Sequence, residues 1–213
     1  MNTNEICNQK KGLKLTDRQR AIIVGLVLGD GHLETQNNGR TYRLKVEHAE
    51  PQGDYVRWLF DELREWIPAG EPYVKVRKNG ERNIGFNTYS HPSLRYYGQQ
   101  FYEKKVKRMP KIIAKMIEPA SVAVWFMDDG SRKSAKHQTY NIHTLGYSES
   151  DLKVAQEALL KRFGITTALH SQKGKYWRLY IPRESASRFE QLVAPYLQPI
   201  LSMHHKLGTM PKK

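Results

Sequence analysis

The sequence states one pattern twice. The apolar run Ile23-Val24-Gly25-Leu26-Val27-Leu28 ends in Gly29-Asp30-Gly31, and the run Val122-Ala123-Val124-Trp125-Phe126-Met127 ends in Asp128-Asp129-Gly130, with an offset of 99 residues from Asp30 to Asp129. Each is followed by an alternating stretch, Thr41-Tyr42-Arg43-Leu44-Lys45-Val46 and Thr139-Tyr140-Asn141-Ile142-His143-Thr144, at an offset of 98. Apolar positions three and four apart then mark an amphipathic helix in each half: Tyr55, Trp58, Leu59, Leu63 and Trp66, and Leu152, Ala155, Leu159, Leu160 and Phe163. Two alternating strands around a turn come next, with Asn79-Gly80 in the first half and Lys173-Gly174 in the second. A last helix closes each half, over residues 92–104 and 184–196. Lys107 stands 77 residues after Asp30, and Lys206 stands 77 after Asp129.

Such a chain is an α+β protein of two αββαββα repeats. The organisation expected is an N-terminal tail (1–13), a first repeat with a basic connecting segment (14–118) and a second repeat (119–213). With 213 residues, 39% of them hydrophobic, the chain can bury a sizeable core, which excludes a disordered basic tail. The single cysteine, Cys7, excludes an internal disulfide framework and a cysteine zinc site. The longest apolar run, residues 21–28, is far short of the roughly 20 residues of a membrane span. No secretory signal opens the chain, and a membrane partner is not expected. The Met-Asn start and Pro-Lys-Lys end lack splice-junction nucleophiles, so an intact intein is not expected.

The two apolar runs read as buried helices that pack on each other about a pseudo-twofold axis. Thr16 or Asp17 can cap the first. Gly25 and Gly29 share a face and admit a close neighbour, and Gly31 suits a left-handed position after the helix end. Packed in this way, the helices bring Asp30 and Asp129 together at their C-terminal ends. Two carboxylates there repel each other and oppose the helix dipoles, which raises a pKa. A divalent cation held by carboxylate and carbonyl oxygens, Mg²⁺ or Mn²⁺, relieves the conflict. The formal charge of +14 points to a phosphate-bearing partner. The segment from Lys104 to Ile117 carries Lys104, Lys105, Lys107, Arg108, Lys111 and Lys115 and no acid.

At these residues the sequence resembles the LAGLIDADG homing endonucleases, in their single-chain, two-motif branch. Residues 25–31 and 125–130 are similar to the two signature helices, and the resemblance runs from about Leu15 to Thr209. It implies a four-stranded antiparallel saddle sheet in each repeat, lying in the major groove of double-stranded DNA, and hydrolysis of both strands at a long target. It also implies two or three metal ions at the repeat interface, with Asp30 and Asp129 as ligands and the carbonyls of Gly29 and Asp128 in the shell. Lys107 and Lys206 correspond to active-site lysines. The family often places a polar residue at the end of the first long strand, near the attacking water. His48 stands there, and its place in the second repeat falls on Leu145 or Gly146, so unequal half-sites are expected. The acidic sixth motif position is replaced by Leu28 and Met127, and Val124 and Trp125 stand where a small residue would ease packing.

Alternation sorts the strand residues into faces. In the first repeat Leu44, Val46, Val74, Val76, Ile84 and Phe86 point inward. Arg43, Lys45, Glu47, Lys75, Arg77, Asn83 and Asn87 then face the DNA, with Lys78 and Arg82 beside the turn. In the second repeat Asn141, His143, Tyr176, Arg178 and Tyr180 face out, and Gln172, Lys173 and Lys175 surround the turn. Arg suits guanine, and Asn or Gln suits adenine. The two sets differ, which predicts a non-palindromic site read by a monomer. The sequence does not name a compartment beyond an intracellular one, bacterial cytoplasm or an organelle with its own genome. The rival readings are a maturase acting on intron RNA and a DNA-binding regulator that does not cut.

Overall fold

The computed structural model describes residues 10–133, 138–172 and 176–207. Helix α1 (Asp17–Leu28) begins at Thr16, whose side chain accepts the Gln19 N–H while the Gln19 side chain accepts the Thr16 N–H. Helix α2 (Gly53–Glu62) and the short α3 (Arg95–Phe101) complete the helices of the first repeat. The second repeat has α4 (Pro119–Asp129), α5 (Glu149–Phe163) and α6 (Arg183–Leu197). Pro119 opens α4, where its missing N–H leaves no hydrogen bond unmade, and Glu118 and Ser121 close a capping box around it.

Helices α1 and α4 pack against each other at the centre of the molecule. Ile22, Leu26, Val27, Val122, Trp125, Phe126 and Met127 are all but inaccessible to solvent. A Cβ on Gly25 would stand 2.6 Å from the Ser121 carbonyl oxygen and 2.7 Å from Cβ of Val124. The bulk of Val124 is therefore matched by the absence of a side chain opposite it. The glycines after the motif aspartates have a different reason from the one expected. Gly31 is absent from the residues with positive φ, and Gly130 has φ −85°. A Cβ would meet the Leu26 carbonyl oxygen at 2.7 Å in the first case and the Phe126 carbonyl oxygen at 2.3 Å in the second. Crowding, and not handedness, selects glycine at both positions.

Strands β1 (His32–Glu34), β2 (Arg43–Ala49), β3 (Tyr73–Val76) and β4 (Arg82–Asn87) form an antiparallel sheet in the order β1-β2-β4-β3. A two-residue ribbon, β5 (Tyr102–Glu103) and β6 (Val106–Lys107), precedes the connection between repeats. Strands β7 (Gly130–Arg132), β8 (Tyr140–Ile142), β9 (Ala168–Gln172) and β10 (Tyr176–Ile181) repeat the topology as β7-β8-β10-β9. One face of each sheet is closed by helices: Leu44, Val46, Ile84 and Phe86 with Tyr55, Leu59 and Phe60, and Tyr140, Ile142, Leu179 and Ile181 with Leu152, Leu159 and Phe189. Val74 and Val76 share the helix side of β3, as the alternation requires, but are 49% and 61% exposed. The β3–β4 hairpin reaches past the helices that would cover them.

The sheet register corrects the alignment of the repeats. His32 and Ser131, each two residues beyond a motif aspartate, lie opposite Lys45 and Asn141. The strands therefore correspond at an offset of 96. His48 matches Thr144 and not Leu145 or Gly146, and Glu47 matches His143. No helix among the described residues is long and apolar enough to cross a membrane.

Candidate active site

The C-terminal ends of α1 and α4 meet between the two sheets, and the motif acids collect there. The Asp30 side chain is 57% exposed, whereas that of Asp128 is wholly buried. Asp128 reaches across the repeat interface. Its Oδ2 accepts the Asp30 N–H at 2.9 Å, and its Oδ1 accepts the Tyr55 hydroxyl at 2.7 Å. The carboxylate occupies the space a side chain at position 29 would need: a Cβ on Gly29 would fall 2.4 Å from Oδ2. The opposite contact is made by Tyr147, whose hydroxyl donates to the Leu28 carbonyl at 3.1 Å. Each repeat thus sends one tyrosine to the other repeat's motif helix.

Asp30, His48 and Asp128 each offer a ligand atom, all within 4.8 Å of one another. The imidazole lies 3.6 Å from Asp128 and 4.0 Å from Asp30, and its buried Nε2 has no hydrogen-bond partner. Burial lowers the His48 pKa, and Lys206 reinforces this against the attraction of Asp30. The shift favours the neutral ring, whose lone pair can serve as a ligand. Burial, then the charge of Asp30, pushes Asp128 up to about 7. Burial, then the charges of Asp128 and Asp30, pushes Asp129 up to about 8 against Lys107 and Lys206. Like charges thus add to burial, which is the larger cause at both carboxyls.

Both lysines are present and turned inward. Lys107 Nζ donates to the Gly29 carbonyl at 2.7 Å and to that of Gly31 at 3.3 Å. Lys206, itself buried, donates to the carbonyls of Met127, Phe126 (3.3 Å) and Asp128 (3.4 Å). Each ammonium thus donates to carbonyls at or just past the end of its own repeat's motif helix, where the backbone leaves acceptors short of partners. Burial lowers both lysine pKa values, and the three aspartates oppose the shift.

The outer face of the first sheet is an organised polar layer. Arg43 is held by Glu34 at 2.7 Å. Glu47 accepts from Asn83 at 2.8 Å and Tyr73 at 3.3 Å, and lies 3.5 Å from Arg77 and 3.9 Å from Lys45. The Asn83 hydrogen bond keeps its carboxyl below the ordinary range. Lys75 and Asn87 share this face, and Lys78 lies exposed in the turn. Arg82 does not share it: it lies across from Val76 and pairs with Glu50 at 2.9 Å. In the second sheet His143 Nε2 lies 2.8 Å from Ser131 Oγ, and the His143 backbone N–H donates to the Asp129 carbonyl at 2.9 Å. Asn141, Tyr176 and Arg178 share the outer face, where Tyr180 stacks on His170 with ring centroids 4.4 Å apart and Lys133 stands 4.9 Å over its ring. Lys173 and Lys175 fall outside the described residues, and Gln172 is placed by its backbone alone, opposite Tyr176.

Sequence reasoning missed the Asp128 side chain, Tyr55, Tyr147 and His170. The tyrosines and His170 sit at positions that pattern alone reads as core or plain strand. Asp128 adjoins a motif acid and gives no sign that its side chain crosses the interface. His48 carried a readable sign, because the alternation that buries Leu44 and Val46 buries it too.

Comparison with known proteins agrees with this geometry. The model of the LAGLIDADG DNA endonuclease family matches residues 20–189. DNA endonuclease I-ChuI of Chlamydomonas applanata is 29% identical over 87% of this chain and 93% of its own length. Probable intron-encoded endonuclease 1 of Wickerhamomyces canadensis is 26% identical over 93% and 87%. Cytochrome b mRNA maturase bI2 of Saccharomyces cerevisiae is 26% identical over 88% of this chain and 47% of its own. The solved structure of homing endonuclease I-WcaI bound to its DNA recognition sequence has the same fold, with a TM-score of 0.85 at 23% identity over 97% of this chain and 93% of that one. With the two motifs, the repeated sheets and a family match over most of its length, the chain belongs to the LAGLIDADG DNA endonuclease family.

Proposed function

We propose that this protein is a site-specific homing endonuclease, acting as a monomer, that hydrolyses both strands of double-stranded DNA at a long non-palindromic target with the help of divalent metal ions. The observation that carries the reading is the convergence of Asp30, Asp128 and Asp129 with Lys107 and Lys206 where the two motif helices end, between two sheets with polar, cation-bearing outer faces.

The donor set fits a divalent ion. Asp30, Asp128 and Asp129 offer hard carboxylate oxygens suited to Mg²⁺ or Mn²⁺. His48 adds a neutral, unpartnered nitrogen beside two of them. Bound there, such an ion would polarise the phosphodiester and lower the pKa of a water molecule. The chain's own groups do the remaining work. Lys107 and Lys206 hold positive charge beside the place where phosphate charge builds up. The outer faces of the sheets position the duplex, with Lys45, Lys75, Arg77 and Arg178 as phosphate or guanine partners. Because those faces differ in composition, the two half-sites differ too.

The test is linearisation of a plasmid carrying the intact DNA that spans the gene's insertion point. Cutting should require Mg²⁺ or Mn²⁺, and both Asp30→Asn and Asp129→Asn should abolish it. A second reading, a maturase acting on intron RNA, is favoured by the match to the yeast cytochrome b mRNA maturase. Splicing assistance that survives both substitutions, with no cutting by the wild type, would establish that reading instead.

A further inference from the structure

We infer that Asp54 and Asp151 are positioning residues, each holding the lysine-bearing segment of the opposite repeat. This rests on the nuclease reading above, in which Lys107 and Lys206 serve the two cleavage sites.

Asp54 stands in the first turn of α2, in the first repeat. Its Oδ2 accepts the N–H of Ser202 at 2.8 Å, and its Oδ1 accepts the N–H of Tyr55, also at 2.8 Å. Ser202 belongs to the 3-10 stretch Leu201–Lys206 at the end of the second repeat, and Lys206 is its last residue. Asp151 stands in the first turn of α5, in the second repeat. Its Oδ1 accepts the N–H of Met109, two residues past Lys107, at 3.2 Å. Its Oδ2 lies 3.6 Å from Arg108 and accepts from the Ser148 hydroxyl at 2.7 Å. The two contacts are reciprocal: a carboxylate at the start of the helix that follows the first strand pair takes a backbone N–H from the segment that delivers the other repeat's lysine.

The chemistry gives this arrangement a purpose. An ammonium group on a four-carbon flexible stem reaches its carbonyl partners only if the backbone that carries it is held in place. Lys206 sits at the end of a short turn of weak hydrogen-bond geometry, and Lys107 in a two-residue strand. Neither segment is long enough to be rigid by itself. A charge-assisted hydrogen bond from a folded helix anchors each one. Each lysine's ammonium is held by carbonyls of its own repeat, and the backbone that delivers it is anchored by the partner repeat.

Two measurements test this. Competitive acetylation of the intact protein, read lysine by lysine in a mass spectrometer, needs no cleavage activity. Asp54→Ala should raise the reactivity of Lys206 several-fold and leave Lys107 unchanged; Asp151→Ala should do the reverse. Nicking of each DNA strand, followed separately on end-labelled target, should then slow by about 10- to 100-fold on one strand for Asp54→Ala and on the other for Asp151→Ala. Asp54→Asn, which keeps an acceptor oxygen, should restore both readouts. Equal exposure of both lysines, equal slowing of both strands or no change in either readout would overturn the inference. If the variants show the labelling pattern but the wild type cuts no target, the cross-repeat anchoring stands and the nuclease reading alone is overturned.

Discussion

Asp129→Asn should remove cleavage and, in the absence of metal, make the protein more stable, increasingly so as pH rises. The Asp129 carboxyl moves from 3.8 to about 8 on folding, because it is buried and stands beside Asp128 and Asp30. A carboxyl with a raised native pKa favours folding fully only below its unfolded pKa. Its contribution is lost progressively as pH climbs towards the native value, at about 1.4 kcal/mol per pH unit. Integrated over the whole interval this is a ceiling of about 6 kcal/mol, which relaxation and water entry reduce. Between pH 6 and pH 8 the wild type should lose about 2 kcal/mol relative to the asparagine variant, which has no titrating group at position 129, while Asp128 titrates in both. For a chain of this size that is a change of about 4–8 °C in the difference between the two melting temperatures. Thermal unfolding in chelator at both pH values measures it, and added Mg²⁺ should return stability to the wild type by mass action. A melting-temperature difference that is the same at pH 6 and pH 8, or a variant that melts lower at both, would refute the view that folding buries Asp129 beside the other two acids and raises its pKa.

Tyr55→Phe leaves the buried Asp128 carboxylate short of one donor. It should cost about 1–3 kcal/mol in denaturant unfolding, with the larger loss above pH 7, where Asp128 is ionised. Gly25→Ala drives a methyl group into the Ser121 carbonyl and Val124, which should cost about 1–3 kcal/mol and lower the thermal midpoint. In DNA binding measured against salt concentration, Lys75→Ala should reduce the slope by about one counterion. Arg82→Ala should leave that slope unchanged, because Arg82 is held by Glu50 on the far side of the sheet.

The fold was legible because it is repeated. The Asp-Gly endings of the two helices, the alternating strands and the lysines at matching distances all follow from periodicity, and the structure places each of them at the repeat interface or in a sheet. What periodicity could not supply was register within a repeat. The alternating stretches look equivalent at an offset of 98, but the hydrogen-bonded partners of His32 and Ser131 place them at 96. A two-residue shift keeps every inward and outward assignment, so the facing of Arg43, Lys45, Asn141 and His143 was readable even though the matching of His48 was not. Arg82 falls on the helix side because it lies across from Val76, a parity the turn obscures. Asp128, Tyr55 and Tyr147 belong to contacts between the repeats. Such contacts depend on how two separate segments approach, and no pattern within either segment records that approach.

The crossed tyrosines bear on any attempt to recombine this protein. Tyr55 completes a hydrogen bond for a carboxylate that comes from the other repeat, and Tyr147 does the same for a carbonyl. A hybrid joining residues before the connector to a relative's C-terminal portion would keep an intact hydrophobic seam. It would still leave Asp128 or its counterpart one donor short wherever the two parents differ at these positions. Grafting therefore has to transplant Tyr55 with Asp128, and Tyr147 with the end of α1, as matched sets.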